Sequence, residues 1–215
     1  MKVNYDFYSG KDEYSDGDIE NEIIDYEEKY KNAEKVFKKD IRWPVFYHLT
    51  PIRENILNWY PFDKESSVLE IGAGMGALTG LLCEKCKNVV SVELSKNRAK
   101  SIENRNKDKE NLEIIVGNLN DINFGGRKFD YITLIGVYEY AALYTNTDNP
   151  YTDFLNNIKK LLKPNGKILI AIENKFGMKY WLGAPEDHTN IKYDGITGYN
   201  EDSKVRTFGK EEIKD

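Results

Sequence analysis

The sequence predicts an α/β fold: a three-layer sandwich around a mainly parallel sheet of about five strands, with an N-terminal helical extension. Three observations predict it. After Ser66, short runs rich in Val, Ile and Leu alternate with stretches of helical periodicity. The runs are apolar on both faces, as strands of a parallel sheet covered on both sides must be. Three alternating glycines, in "EIGAGMG", follow the first run, at the strand-to-helix turn where such sheets receive ligands. Because parallel crossovers are right-handed, these elements assemble into a Rossmann-like sandwich.

The elements follow in chain order. Residues 1–17, "MKVNYDFYSGKDEYSDG", show no sustained period and read as an irregular arm. From Asp18, Ile19, Ile23, Tyr26, Tyr30, Ala33 and Phe37 recur at three- and four-residue spacing, which predicts one amphipathic helix. Thr50 before Pro51 is a helix-start signal, with Ile52, Ile56, Trp59 and Tyr60 on one side and Pro61 as the stop. The predicted strands span 67–72, 89–94, 112–117, 129–136 and 166–173, and helices fall at about 76–86, 96–106 and 151–162. The expected division is an arm and helical lid over 1–61 and a binding domain over 62–215.

Composition narrows the function. The chain has 215 residues, 36 acidic against 31 basic side chains and a formal net charge of -5, so no general basic field exists to hold a polyanion and no nucleic-acid partner is expected. The most basic stretch, "SKNRAKSIENRNKDKE", is interleaved with acids, the pattern of a solvated helix face. Cys83 and Cys86 stand in C-x-x-C spacing, but His48 and His188 are too distant in sequence to complete a zinc set, so two buried or half-buried thiols are expected and no metal. Reduced cysteines without a leader pattern point to the cytoplasm. No apolar run approaches the roughly 20 residues of a membrane span.

The glycines carry the chemistry. Gly72 and Gly74 accept dihedrals that a Cβ forbids and let a ligand approach the main chain, while Gly76 is expected to open a helix at about Ala77. Glu93 ends the second strand, where an acid accepts hydrogen bonds from both hydroxyls of a ribose. Together these residues resemble the class I S-adenosylmethionine-dependent methyltransferases. The resemblance covers about 66–174. It implies S-adenosylmethionine as cofactor, S-adenosylhomocysteine as product, and a cofactor site of Glu70, Gly72, Ala73, Gly74, Gly76, Glu93, Leu94, Asn118, Leu119, Gly136 and Val137. In it, Glu70 is oriented toward the cofactor's ammonium end through the loop, Leu94 packs on the adenine, and Asn118 contacts the adenine amino group. Gly136 and Val137, from "FDYITLIGVYEYA", lie near the methionine part.

"GAGMGA" also satisfies the dinucleotide form G-x-G-x-x-A. Glu70 before the glycines and the "LKPNGKILI" element resemble methyltransferases instead, and favour S-adenosylmethionine over NAD. For an oxygen acceptor, His188 in "GAPEDH" is the first candidate base and Glu139 in "GVYEYA" the second; for His188 the alternative is a loop histidine with structural hydrogen bonds. Tyr47, His48 and Arg53 are candidates for a lid over the cofactor, against the alternative that Trp43, Phe46 and Tyr47 only dock the preface onto the sheet. After Asn174 no convincing β run follows, so the family's C-terminal hairpin is expected to be missing, as in a domain cut from a longer protein, leaving the fifth strand as an edge open to a dimer partner or further domain. "YSDGDIENEI" and "ENKFGMKYWLGAPEDH" resemble bacterial methyltransferase domains of surface-polysaccharide synthesis, which implies a small-molecule or glycan acceptor methylated at oxygen. The competing reading is a non-catalytic scaffold module.

Overall fold

The computed structural model describes residues 1–12, 15–30 and 32–213. They form two compact units, Met1–Thr133 with Leu162–Lys167, and Leu134–Leu161 with Ile168–Asp215. One sheet has six strands, in the order β1-β4-β3-β2-β5-β6: β1 (Lys2–Phe7), β2 (Ser67–Ile71), β3 (Asn88–Glu93), β4 (Leu112–Gly117), β5 (Phe129–Ile135) and β6 (Leu162–Ala171). β2 with β3, β3 with β4 and β4 with β1 pair in parallel. The Rossmann-like architecture is the one expected, and the five strands read from the sequence are β2 to β6.

The sixth strand corrects the reading of residues 1–17 as irregular. Lys2–Phe7 runs parallel to β4, pairing Lys2 with Glu113 and Asn4 with Ile115 before a register shift at Phe7. "KVNYDF" hides this because an edge strand buries little: none of its six side chains is fully buried, so no apolar alternation was needed. Gly117 is the condition for the contact. It sits at φ 149°, and a Cβ there would collide with the Phe7 carbonyl.

In the first unit the preface is also more broken than its period implies. The single helix expected from Asp18 is two, α1 (Ile19–Lys29) and α2 (Ala33–Phe37), because Tyr30 is extended and Asn32 caps α2 by accepting the Glu34 N–H at 2.7 Å. α3 (Trp43–Leu49) follows, and Thr50 caps a 3₁₀ turn over Pro51–Glu54 that leads into α4 (Asn55–Asn58), as its Thr-Pro pair signalled. Ile23, Ile24, Val36, Val45 and Leu49 close over Met75, in the middle of the glycine loop. Beneath them, Arg98 of α6 (Lys96–Arg105) reaches Glu20 and Asp16 of the preface at 2.8 Å each. The preceding crossover helix, α5 (Thr79–Lys85), carries Cys83; Cys83 and Cys86 are buried free thiols, and burial raises both, Cys83 to about 12, which disfavours the thiolate.

The second unit is built around aromatic rings. α7 (Ala141–Tyr144), α8 (Pro150–Lys159), α9 (Met178–Trp181) and α10 (Asp194–Thr197) are short except for α8. Tyr138 stacks on Phe208 with centroids 5.0 Å apart and meets Tyr151 edge-on at 5.6 Å. Among the described residues no strand follows β6, which lies at one edge of the sheet.

Candidate functional site: a glycine loop and an acid–histidine cluster

The glycine loop lies at the carboxyl end of β2. Gly72, Gly74 and Gly76 adopt φ of 68°, 57° and 75°, in the left-handed region open chiefly to glycine. The consequence for Gly76 corrects the expected helix start: a residue at that φ cannot begin a right-handed helix, and α5 starts only at Thr79. A Cβ on Gly76 would come within 3.1 Å of the Ile102 Cα, whereas one on Gly74 would meet nothing within 4 Å. Gly76 is therefore required by packing and Gly74 leaves an open face of main chain.

Two buried acids hold the loop. Glu93, at the end of β3, accepts the Gly74 N–H at 2.7 Å with Oε2 and the Ser95 N–H at 2.9 Å with Oε1. Burial raises its pKa, opposed by the Ser95 N–H and the nearby Arg98 charge. Glu70, at the end of β2, accepts from Thr79 Oγ1 at 2.7 Å and Ser91 Oγ at 2.6 Å, both at Oε2, and burial pushes it up to about 7. These bonds point Glu70 Oε2 into the interior, joining β2, β3 and α5. Ala73 and Leu94 are half-buried beside the loop. Asn118, just past β4, spends Oδ1 on the Asn120 N–H at 3.0 Å, which closes a 3₁₀ turn containing Leu119.

The lid candidates sit on the preface. Tyr47 is exposed, and the Arg53 guanidinium lies 3.9 Å from its ring centroid. His48 is buried instead, its Nε2 3.3 Å from Asp16 Oδ2 and its carbonyl accepting Arg105 Nη1 at 2.7 Å. That ties His48 to the preface's own ion-pair network, a role its sequence context did not reveal.

In the second unit, Gly136 follows β5 at φ 67°, with its N–H donated to the Ala171 carbonyl of β6 at 2.8 Å, and half-buried Val137 comes next. Glu139 then sits in the 3₁₀ turn Tyr138–Tyr140, where Tyr138 is locked by its ring stack. It is 2 % exposed, and burial pushes its carboxyl up to about 8. His188 is brought to it by a loop that buried Glu186 ties down: Glu186 Oε2 accepts the His188 and Thr189 N–H groups at 2.7 Å each, and Oε1 accepts Tyr199 OH at 3.0 Å. Tyr140 OH lies 3.1 Å from His188 Nδ1. The two catalytic candidates thus meet, and Glu173, two residues past β6, joins them. Donor atoms of Glu139, Glu173 and His188 all lie within 4.8 Å of one another. Glu173 carries the same sequence signal that marks Glu93, an acid ending an apolar run, here "ILIAIE".

Comparison with known proteins bears on this geometry. A family model described as a methyltransferase domain matches residues 69–170, from the glycine loop through β6. An uncharacterized methyltransferase of Staphylococcus carnosus is 31% identical over 175 residues, covering 76% of this chain and 78% of that protein. A ribosomal RNA small subunit methyltransferase A of Mycoplasma mobile is 53% identical over only 45 residues, 21% of this chain, and the match spans 17% of that enzyme's length. Among solved structures, the phosphoethanolamine N-methyltransferase 1 of Haemonchus contortus superposes with a TM-score of 0.57 at 17% identity, over 88% of this chain and 38% of that one. The glycine loop, the acids that brace it and the extended match to the Staphylococcus carnosus protein lead to one conclusion: the chain belongs to the methyltransferase family.

Proposed function

We propose that this chain moves a methyl group from S-adenosylmethionine to a hydroxyl of a small-molecule or glycan acceptor in the cytoplasm. The methyl donor is S-adenosylmethionine and the product S-adenosylhomocysteine. The donor fits the residues present: Gly74 offers open main chain and Glu93 an acceptor already fixed at the strand end. In this reading Glu93 receives the ribose hydroxyls, Leu94 and Leu119 flank the adenine, and the Asn118 amide reaches its edge. Gly72, Ala73, Gly74 and Gly76 wall the pocket, Gly136 and Val137 serve the methionine part, and Glu70 keeps the loop in place from within. Tyr47 and Arg53 belong to a lid formed by the preface.

The observation that carries an oxygen acceptor is the meeting of His188 and Glu139 beyond the carboxyl ends of β5 and β6, where parallel sheets place their chemistry. The cofactor supplies a methyl group already electrophilic on its sulfonium. The protein's task is to align the acceptor, exclude water and handle the acceptor's proton, for which these two groups are suited. A net charge of -5 speaks against an RNA acceptor.

Calorimetric titration with S-adenosylmethionine, S-adenosylhomocysteine and NAD tests the cofactor, and binding of NAD alone would overturn it. Transfer of labelled methyl to glycan precursors tests the acceptor. Cofactor binding without transfer to any hydroxyl compound would favour the scaffold reading. The edge of β6 is proposed to pair with a second copy or a further domain, and a monomer at high concentration by light scattering argues against the dimer.

A further inference from the structure

The cluster of Glu139, Glu173 and His188 has a property that a plain acid–base pair does not need. Glu139 is buried with Oε2 lacking a hydrogen-bond partner among the described residues, and His188 Nε2 is likewise buried without a hydrogen bond, its recorded charged neighbour being Glu173 Oε2 at 4.0 Å. Buried polar atoms are nearly always satisfied, and two orphans facing the same third group call for something between them. If His188 Nδ1 carries the proton and donates it to the Tyr140 oxygen, Nε2 presents a lone pair to the two carboxylates. With Glu139 ionised, three acceptors then converge on one point. A water molecule has only two hydrogens to give, whereas a cation answers all three at once.

We propose that Glu139, Glu173 and His188 bind a divalent first-row transition cation. One imidazole nitrogen with two carboxylate oxygens suits manganese or zinc better than magnesium or calcium, which favour oxygen alone. Donors 4.8 Å apart or closer leave a common centre about 2.8 Å or less from each, against about 2.0–2.2 Å for zinc with histidine and carboxylate. The remaining closure, at most about 0.6–0.8 Å, falls mainly to Glu173, whose side chain is 43% exposed and next to the end of β6. The other two ligands are held in place. Tyr138's ring stack fixes the turn carrying Glu139, Glu186 fixes the loop carrying His188, and Tyr140 sets the imidazole's orientation as outer partners of metal-bound histidines do.

Three protein ligands leave coordination positions open, the arrangement of catalytic rather than structural sites. The class of ligand that completes it is an oxygen donor, such as a hydroxyl or vicinal diol of the acceptor. That use of the ion, unlike the binding itself, rests on the oxygen acceptor proposed above. With the ion bound, His188 and Glu139 serve as its ligands instead of taking the acceptor's proton themselves, and the ion would ease loss of that proton to solvent.

The test begins with the whole chain and manganese alone, without cofactor or acceptor. Loss of the free Mn²⁺ electron paramagnetic signal should report one equivalent bound, and zinc should compete for it. Glu139→Gln, Glu173→Gln and His188→Ala should each weaken binding about tenfold or more, and Tyr140→Phe about tenfold. Glu201→Gln, at an exposed acid elsewhere, should leave it unchanged. Glu139→Gln keeps the buried shape and removes only a charge, so it guards against loss by unfolding, and each variant's melting temperature is measured alongside. Absence of a bound equivalent, or equal binding by the wild type and the Glu139/Glu173 double variant, overturns the site. Metal binding with no methyl transfer would leave the site standing and defeat the acceptor reading. Methyl transfer undiminished by EDTA would defeat the ion's use in catalysis, whatever its affinity.

Discussion

The acids at the carboxyl ends of the strands fall into two kinds. Glu70 and Glu93, beside the glycine loop, are buried and bonded to neighbouring hydroxyls and N–H groups of the fold. Glu139, past β5, is equally buried and leaves a carboxyl oxygen without a partner among the described residues. Burial alone does not separate them, since it raises the pKa of all three. The difference is in where the hydrogen bonds go. The satisfied acids are framework that shapes a loop, and the unsatisfied one waits on a group from outside.

Four measurements break or sharpen that contrast. The largest effect is expected from Glu93→Ala. It strips the acceptor from the half-buried Gly74 N–H and the buried Ser95 N–H, a buried group left unsatisfied costing about 1–3 kcal/mol, so urea melts should lose about 2–4 kcal/mol and calorimetry should show S-adenosylmethionine binding lost. Second is the pH dependence of Glu70. Its folded pKa of about 7 lies above the ordinary 4.5, so the folded state holds the proton more tightly. The stability this adds is complete below about pH 4.5 and is lost as pH rises through 7. Glu70→Gln mimics the protonated form, and should therefore exceed the wild type by up to about 3 kcal/mol at pH 8 and match it near pH 4. A constant difference across that range would mean that Glu70 is not the buried, reluctant acid described.

Near pH 4, where both side chains are neutral, Glu139→Gln should leave stability within about 1 kcal/mol of the wild type, because the unpartnered oxygen has no bond to lose, and it should exceed the wild type as pH rises toward 8. A loss as large as that of Glu93→Ala would erase the distinction between the two kinds of acid. The smallest effect is assigned to Tyr47→Ala. It removes an exposed ring and its Arg53 contact, which is worth about 0.5–1 kcal/mol at such a site. Cofactor affinity should fall a fewfold if the preface is a lid, and unchanged affinity removes that role.

How much of this was legible in the sequence follows from the physics of each element. β2 to β5 stood out to within about a residue because strands buried on both faces leave unbroken apolar runs. β1 did not, because an edge strand requires no such run. The break between α1 and α2 hid within a continuous hydrophobic period, since Tyr30 and Ala33 remain on the same packed side while the backbone turns. At the site, Glu93 and the glycines could be found from position alone. The meeting of Glu139 and His188 could be suspected but not placed, because the loop that carries His188 is held by Glu186, Tyr199 and Thr207, contacts between residues with no periodic signature. The His48 contact was hidden for the same reason: its partner Asp16 lies in a stretch with no pattern to flag it.

The pairing of β1 with β4 has a consequence for how the chain reaches its fold. Lys2–Phe7 has its partner strand more than a hundred residues downstream, so it must wait while the intervening strands and helices assemble. Such a segment is a late-arriving seal: it adds no core, but it closes the outer rim of β4, whose exposed N–H and C=O groups would otherwise recruit strands from other molecules. Removal of residues 1–7 should therefore leave the β4 edge open and promote aggregation while sparing the glycine loop.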